Sequence, residues 1–210
     1  KSKNMLLENK LTDAEPKFQT NSPRKIPGVM FSQHPDHAGT PYWHNHPLIE
    51  THHEIEECFR MFQDLGADEI MWDWEGKLAD DSVLEKLWGK YHDYFWSRKI
   101  GRDVFMTFRV PNPRVESGYR LGRVFMVILA ARDMASQAGQ PAPFFEVILP
   151  MTESATEMLQ VQQSFQRIAE AAHESFGDGD QVKHALEIIP IFESVESILN
   201  SGAILREYIG

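Results

Sequence analysis

Polar and ionisable residues follow each of five apolar runs in the chain, at the point where each run ends. Among these polar residues, the ones whose side chains could take part in catalysis or binding are His34, Asp73, Glu75, Arg109 and Glu193. An imidazole can transfer a proton near neutral pH, and a guanidinium binds a carboxylate or phosphate through two parallel hydrogen bonds. Carboxylate oxygens are the ligands that Mg²⁺ and Mn²⁺ prefer. Together these residue types suit an anionic substrate and a divalent cation.

Each of these residues also has a plain structural interpretation. A single charged residue at a loop edge is more often a surface ion-pair partner than part of a site. Asp73 and Glu75 fit a paired-carboxylate site, and they fit about as well a bridge to Lys77 or a helix N-cap. The position that five such residues share, each directly after an apolar run, favours a functional site.

The apolar runs themselves predict five β-strands that recur every 35 to 42 residues. We predict these strands over 26–31, 68–74, 103–110, 144–150 and 186–192. Apolar residues three or four positions apart fill the intervening segments and predict helices. The apolar faces of these helices span 55–65, 83–95, 121–135, 158–172 and 198–208, and the fourth opens with a capping box at Ser154 and Glu157.

Strands that alternate with helices predict a parallel sheet and the α/β fold class. Two architectures fit: a doubly wound open sheet of five strands, or a stretch of a (β/α)8 barrel. No Gly-x-Gly-x-x-Gly turn follows any predicted strand, which weakens the nucleotide-binding version of the open sheet. In both architectures the carboxyl ends of the strands lie at one edge of the sheet. The five candidate site residues would meet at this edge.

Composition narrows the classes of function. The 210 residues carry 21 Lys and Arg against 31 Asp and Glu, a formal charge of −10, which argues against a general binder of nucleic acid or anionic membrane. The single cysteine, Cys58, has no internal disulfide partner, and no apolar run is long enough to cross a bilayer. We expect a cytoplasmic protein with a polar tail over 1–25 and one catalytic domain over 26–210.

Six of the nine histidines fall between His34 and His53. A zinc site with the His44-x-His46 pair is the more specific hypothesis for this segment. The plainer hypothesis is that most of these histidines are solvated in a loop, because no cysteine or Glu-x-x-His helix accompanies them. We favour the plainer hypothesis.

The strand ends as a set resemble archaeal-type phosphoenolpyruvate carboxylase. Five motifs in matching order and spacing carry this resemblance from about Ile26 to Gly210, namely Ser-Gln-His-Pro-Asp at 32–36, Asp-Glu-Ile-Met-Trp-Asp-Trp-Glu-Gly-Lys at 68–77, Phe-Arg-Val-Pro-Asn-Pro at 108–113, Phe-Glu-Val-Ile-Leu-Pro-Met-Thr at 145–152 and Ile-Pro-Ile-Phe-Glu at 189–193. Any one motif alone would be weak, whereas five in order are specific.

The resemblance implies a (β/α)8 barrel that carboxylates phosphoenolpyruvate with bicarbonate, using Mg²⁺ or Mn²⁺, and gives oxaloacetate and phosphate. It also implies a homo-oligomer, a tetramer in the family. His34 resembles the histidine that stabilises or deprotonates carboxyphosphate, Arg109 resembles a substrate-binding arginine, and Glu193 resembles a metal ligand. We assign Asp73 and Glu75, from the second motif, to substrate binding beside Arg109.

The chain departs from the family in length, since family members are more than twice as long. The five predicted units stop before the family's second acidic metal ligand, its remaining arginines and its glycine-rich loop. We therefore expect these 210 residues alone not to turn over substrate. Two alternatives stay open: a related barrel lyase or aldolase acting on pyruvate-like enolates, and a non-catalytic assembly subunit of the same fold.

Overall fold

The computed structural model describes residues 25–33, 39–48, 50–75, 79–177 and 186–210. Five strands lie in this part of the chain: β1 (Met30–Ser32), β2 (Glu69–Asp73), β3 (Phe105–Arg109), β4 (Glu146–Leu149) and β5 (Glu187–Pro190). Its helices are α1 (Thr51–Gln63), α2 (Val83–Lys90), α3 (His92–Ser97), α4 (Gly118–Gln137), α5 (Ala155–Phe176) and α6 (Val195–Ile209). The fold class is α/β, as predicted.

The five strands form one parallel sheet in the order β1-β2-β3-β4-β5. Because crossovers between parallel neighbours are right-handed, a consecutive order places the connecting helices on one face. The burial pattern agrees: Trp72 and Phe108 are buried, whereas Met30 and Ile189 on the two edge strands are exposed. A doubly wound sheet reverses its strand order, so that alternative is wrong for this sheet. The consecutive order is compatible with part of a barrel.

The predicted strands are confirmed with one shift. Four of them enclose the observed strands, but the first, predicted over 26–31, begins only at Met30. Residues before it are held by a side chain instead of a strand ladder, since the Asp68 carboxylate accepts hydrogen bonds from the backbone N–H groups of Gly28 (3.0 Å) and Val29 (3.1 Å). Lys25 also pairs with Asp68. The rest of the predicted tail over 1–25 lies outside the described residues.

The helices follow the predicted apolar faces except at one point. The stripe over 83–95 forms two helices, α2 and α3, because Tyr91 between them leaves the helical region at φ −128° and ψ 38°. Its ring stacks on Phe59 of α1, with centroids 3.7 Å apart. The predicted N-cap is present, since Ser154 Oγ accepts from the N–H of Glu157 at 3.3 Å. The second half of the predicted capping box is shifted by one residue, because the Glu157 carboxylate accepts from the N–H of Glu153, at 2.8 Å, instead of that of Ser154.

The core lies between the sheet and the helices and is rich in aromatic residues. Trp72, Trp74 and Phe95 are almost fully buried and pack in the core. Trp96, on the outer side of α3, is exposed. Among the described helices, none combines the length and apolar character that a bilayer crossing requires.

Glu57 and Glu69 are buried acidic residues that the sequence pattern does not predict. Glu69, at the start of β2, is only 4% exposed, and Thr107 on β3 donates a hydrogen bond from its hydroxyl to the Glu69 carboxylate. A buried carboxylate without a partner costs several kcal/mol, on the order of the loss of a buried ion-pair partner. The Thr107 hydroxyl thus lowers the cost of burying the Glu69 carboxylate, and the hydrogen bond joins β2 to β3.

Candidate active site

The carboxyl ends of the five strands lie along one edge of the sheet, which we call the rim. This edge is the position predicted for the chemistry, because parallel strands end together. The described rim residues with polar side chains are Gln33 after β1, Asp73 and Glu75 at the end of β2, Arg109 and Asn112 at the end of β3, Thr152 after β4 and Glu193 after β5.

Arg109 and Asp73 form a two-point ion pair at the centre of the rim. Asp73 pairs in register with Arg109 across β2 and β3, so that the two side chains leave the sheet side by side. The guanidinium donates from Nε to Asp73 Oδ1 at 3.0 Å and from Nη2 to Oδ2 at 2.5 Å. Such a fork geometry fixes the plane of the guanidinium. Both side chains are partly exposed, at 29% and 19%.

Glu75 joins this pair and completes what we call the Arg109 clamp, defined as Arg109 with Asp73 and Glu75. Its Oε2 lies 3.2 Å from Arg109 Nε, and its backbone N–H donates to Asp73 Oδ1 at 3.0 Å. Trp74 between the two acids donates its backbone N–H to the Arg109 carbonyl at 3.0 Å and stacks its ring on Phe108. A buried tryptophan therefore anchors the segment that carries both carboxylates.

Gln33 extends the rim to β1. Its side-chain Oε1 accepts from the backbone N–H of Asp73 at 2.8 Å, and its own N–H donates to the Met71 carbonyl at 3.2 Å. This contact places the residue before His34 next to the clamp. His34 itself, the predicted proton-transfer residue, lies outside the described residues.

Glu193 reaches the rim from β5. Its Oε1 accepts from the backbone N–H of Met151 at 3.1 Å. Met151 takes a positive φ of 52°, which is uncommon for a side chain of this kind and marks a tight turn after β4. The turn directs the Met151 N–H to the Glu193 carboxylate. The exposed Glu193 thus has a defined position and is not a freely mobile surface acid.

The charges of the clamp and of Glu193 act on one another. The pKa of Arg109 is raised mainly by its hydrogen bond to Asp73, with further contributions from the charges of Glu75 and Glu193, against an opposing effect of burial. The pKa of Glu75 is raised above 4.5 by burial first, and Asp73 and Glu193 raise it further while Arg109 lowers it. Three carboxylates surround one guanidinium, so the rim has excess negative charge that a divalent cation would neutralise.

The loop after β3 supports the Glu193 end of the rim. Asn112 is buried and donates from its side chain to the Pro150 carbonyl at 2.8 Å. Arg114 donates to the Met151 carbonyl at 2.7 Å and pairs with Glu157 of α5 at 2.8 Å. These contacts brace the turn that positions Glu193. The sequence pattern does not predict this role of Asn112, because a neutral amide carries no charge.

The four described histidines of the dense segment do not form the predicted His44-x-His46 ligand pair. The Nδ1 of His46 accepts from the N–H of Leu48 at 3.1 Å, whereas His44 turns its Nε2 toward that of His53, 3.2 Å away. His53 lies in the first turn of α1 with His52 beside it, their ring centroids 3.8 Å apart. Desolvation lowers the pKa of His53, and His52 and His44 lower it further. His34 and His37 lie outside the described residues.

The structure thus brings together three of the predicted site residues by direct contact. Asp73 and Glu75 both contact Arg109, and Glu193 shares their electrostatic field from the other side of β4. Two carboxylates contact the guanidinium, and a third acts on it from the end of β5. The structure thus places Asp73, Glu75, Arg109 and Glu193 at the predicted edge of the sheet, and the roles of these residues stay predictions.

Comparison with known proteins identifies the same resemblance. The sequence model of a family described as phosphoenolpyruvate carboxylase matches residues 26–210. A phosphoenolpyruvate carboxylase of Leuconostoc mesenteroides is 42% identical over 188 residues, which cover 89% of this chain and 37% of that protein. Those of Pyrococcus horikoshii and Metallosphaera sedula are 40% and 34% identical, over 88% of this chain and 42% and 39% of theirs. The chain spans about two fifths of the length of these relatives.

Proposed function

The chain belongs to the phosphoenolpyruvate carboxylase family, and from this premise we propose that its rim binds phosphoenolpyruvate and a divalent cation in the carboxylation of phosphoenolpyruvate by bicarbonate. The products are oxaloacetate and phosphate. The observation that carries the proposal is the Arg109 clamp beside Glu193, which combines a fixed guanidinium with an excess of carboxylates.

Arg109 binds the anionic end of the substrate in this proposal. A guanidinium carries five N–H donors, and Asp73 accepts from two of them, so that donors on the outer nitrogens remain for a carboxylate or phosphoryl oxygen. Asp73 acts as a positioning residue because it holds the plane of the fork. Its hydrogen bond also raises the pKa of Arg109.

Glu193 would hold Mg²⁺ or Mn²⁺, and the excess of carboxylate oxygens over cationic groups at the rim fits a hard cation. When bound, such an ion supplies Lewis-acid stabilisation of negative charge on the enolate oxygen. Glu193 and Arg109 both act electrostatically on Glu75, so its carboxylate contributes negative charge to the rim. Glu75 is proposed to bind substrate beside Arg109, as the sequence predicts.

The proposed carboxylation of phosphoenolpyruvate proceeds in three steps. An oxygen of bicarbonate attacks phosphorus, the bond from phosphorus to the enol oxygen breaks, and carboxyphosphate and the enolate of pyruvate form. Carboxyphosphate releases CO2 and phosphate, and the enolate carbon then attacks CO2 to form the new C–C bond of oxaloacetate. His34 stabilises or deprotonates carboxyphosphate in this scheme, and Arg109 retains the enolate through its charge.

We propose further that the five-stranded sheet is part of a (β/α)8 barrel. Its support is the consecutive parallel order, the burial of one face by helices and the exposure of Met30 and Ile189 on the edge strands, which a closed barrel would cover. In such a barrel the rim becomes the carboxyl-terminal mouth, the place where active sites of this fold lie.

The proposal is tested with the enzyme that contains this chain, by following oxaloacetate from phosphoenolpyruvate in a coupled reduction. We expect formation that requires both bicarbonate and Mg²⁺ or Mn²⁺ and releases one phosphate per oxaloacetate. Carbon–carbon cleavage or condensation without bicarbonate would replace the proposal with the lyase alternative. No turnover together with no metal binding would favour the assembly subunit. His34→Asn is expected to lose turnover, and undiminished activity would remove the role of His34.

A further inference from the structure

The connection between β1 and α1 carries a second group of ligating side chains. Glu50, His52 and His53 each offer one ligand atom, and these three atoms lie within 4.8 Å of one another. His44, from the preceding loop, points its Nε2 at His53 Nε2 over 3.2 Å. Two separate segments therefore converge, the loop that holds His44 and the start of α1. The group shares no residue with the Arg109 clamp.

The spacing of these atoms suits a tetrahedral metal ion. Two imidazole nitrogens on one Zn²⁺, each at about 2.0–2.1 Å, lie about 3.3 Å apart, close to the separation of His44 and His53. The side chains of His52 and Glu50 are 68% and 61% exposed, so they can turn toward a common centre without disturbing the core. Their own nearest atoms, His52 Nδ1 and Glu50 Oε2, are 3.3 Å apart.

The backbone of His46 holds the His44 ring. The His44 Nδ1 lies 3.0 Å from the His46 carbonyl oxygen and 3.1 Å from the His46 backbone nitrogen. Because the first contact suits a protonated Nδ1 and the second an unprotonated one, these contacts orient the ring without fixing its tautomer. His46 therefore serves as a positioning residue through its backbone.

A simple hydrogen bond between His44 and His53 would also give a short contact between their rings. It would not explain the nearby Glu50 carboxylate and His52. Three donor groups within 4.8 Å of one another, with His44 beside His53, fit a ligand set better than one hydrogen-bonded pair.

We propose that His44, Glu50, His52 and His53 bind one Zn²⁺ or a similar transition-metal ion. Three nitrogens and one carboxylate select zinc over Mg²⁺, which takes oxygen ligands. The Glu50 carboxylate offsets the partial positive charge at the start of α1, which disfavours a cation there. The ion links the 39–48 loop to α1 and so holds the connection that follows the carboxyl end of β1. This site is structural and is independent of the proposed function.

Titration calorimetry with Zn²⁺ alone as the probe, in buffer with excess Mg²⁺ to occupy the rim carboxylates, tests this site. We expect one Zn²⁺ per chain and a rise in the midpoint of thermal unfolding on addition of zinc. His52→Ala and His53→Ala are expected to weaken binding by about 10–100-fold or more. His52 is exposed, so its variant keeps the fold even if the His53 variant does not.

Two control variants test whether Zn²⁺ binds at the proposed site and not elsewhere on the chain. His92→Ala removes an exposed histidine that contacts Asp93 outside the group, and Glu193→Gln removes the rim carboxylate. Both are expected to bind Zn²⁺ like the wild type. Absence of stoichiometric zinc binding would overturn the proposal. Equal losses in the His52 and His92 variants, or a loss in the Glu193 variant alone, would overturn it as well.

Discussion

Two arginine–aspartate pairs flank β3, one before its start and one at its end. Arg102 donates to Asp103 from Nε at 3.0 Å and from Nη2 at 2.7 Å. Arg109 makes the same two contacts with Asp73 at 3.0 Å and 2.5 Å. The two pairs are similar in geometry and both are partly exposed, at 32% and 33% for Arg102 and Asp103 and at 29% and 19% for Arg109 and Asp73. Contact geometry alone therefore does not distinguish a functional pair from a structural one.

Their surroundings differ in charge. Arg102 pairs with its chain neighbour, and Asp103 also accepts from the N–H of Lys99, so the pair closes a local loop. Arg102 lowers the pKa of Asp103, as expected for a balanced pair. At the other end the pKa of Glu75 is raised despite contact with Arg109, because burial and the charges of Asp73, Glu193 and Glu116 disfavour its ionised form. Excess negative charge is thus what separates the rim from the loop before β3.

Replacement of the two arginines should have the most unequal effects. Arg109→Gln removes the charge that binds substrate and is expected to lower kcat/KM for phosphoenolpyruvate by about 100-fold or more. Arg102→Gln removes an equivalent ion pair away from the rim and should leave kcat/KM unchanged. Steady-state assay of both variants in the enzyme that contains this chain measures the contrast. Equal losses would show that the rim pair has no special role.

Removal of the Glu193 carboxylate should affect the metal requirement. Glu193→Gln is expected to raise the Mg²⁺ concentration for half-maximal activity by about 10-fold or more, on the scale of losses at metal sites. Glu196→Gln is the matched control, because Glu196 is exposed in the first turn of α6, three residues after Glu193. This variant should not change the Mg²⁺ requirement. The dependence of rate on Mg²⁺ is measured at saturating substrate. An unchanged requirement in the Glu193 variant would contradict its role as a ligand.

Asp103→Asn should lower the free energy of unfolding near neutral pH by no more than about 1 kcal/mol, since the pair is partly exposed. The pKa of Asp103 is lower in the folded protein than its usual 3.8, so its stabilisation is present above that value and is lost as pH falls through the lowered pKa. Urea unfolding at neutral and acid pH measures the difference. A difference from wild type that grows in acid would contradict this assignment.

Glu75→Gln should have the smallest effect, with the opposite pH dependence. The pKa of Glu75 is raised in the folded protein, so the wild type loses stability as pH rises from 4.5 through the raised pKa. The glutamine variant lacks this loss, so its free energy of unfolding should rise relative to that of the wild type as pH increases from 4.5 through the raised pKa. Contact with Arg109 offsets part of the effect. Urea unfolding as a function of pH checks the sign, and parallel curves would refute it.

Much of this arrangement was predictable from the sequence, because its physical causes are local. Apolar runs of strand length predicted β2 to β5, and the Ser154 hydroxyl with Glu157 predicted the start of α5. The convergence of Asp73 and Arg109 followed from a general property of parallel sheets, whose strand ends lie together. The motifs at those ends also predicted the family, which the comparison confirms.

Other features depend on contacts that the sequence pattern does not encode. The break at Tyr91 interrupts a continuous apolar stripe, since the ring packs on Phe59 of another helix. The late start of β1 reflects the Asp68 carboxylate, which lies some 40 residues away and binds the Gly28 and Val29 N–H groups. Gln33 and Asn112 act through neutral amides on backbone groups, so neither residue type nor spacing indicated their support of the rim.

The most direct test of the account is a crystal structure of the enzyme that contains this chain, grown with Mn²⁺ and phosphoenolpyruvate, in which anomalous scattering locates the metal. We predict a manganese peak coordinated by the Glu193 carboxylate, with an anionic group of the substrate hydrogen-bonded to Arg109. Manganese and substrate bound together at a place that involves neither Glu193 nor Arg109 would contradict it.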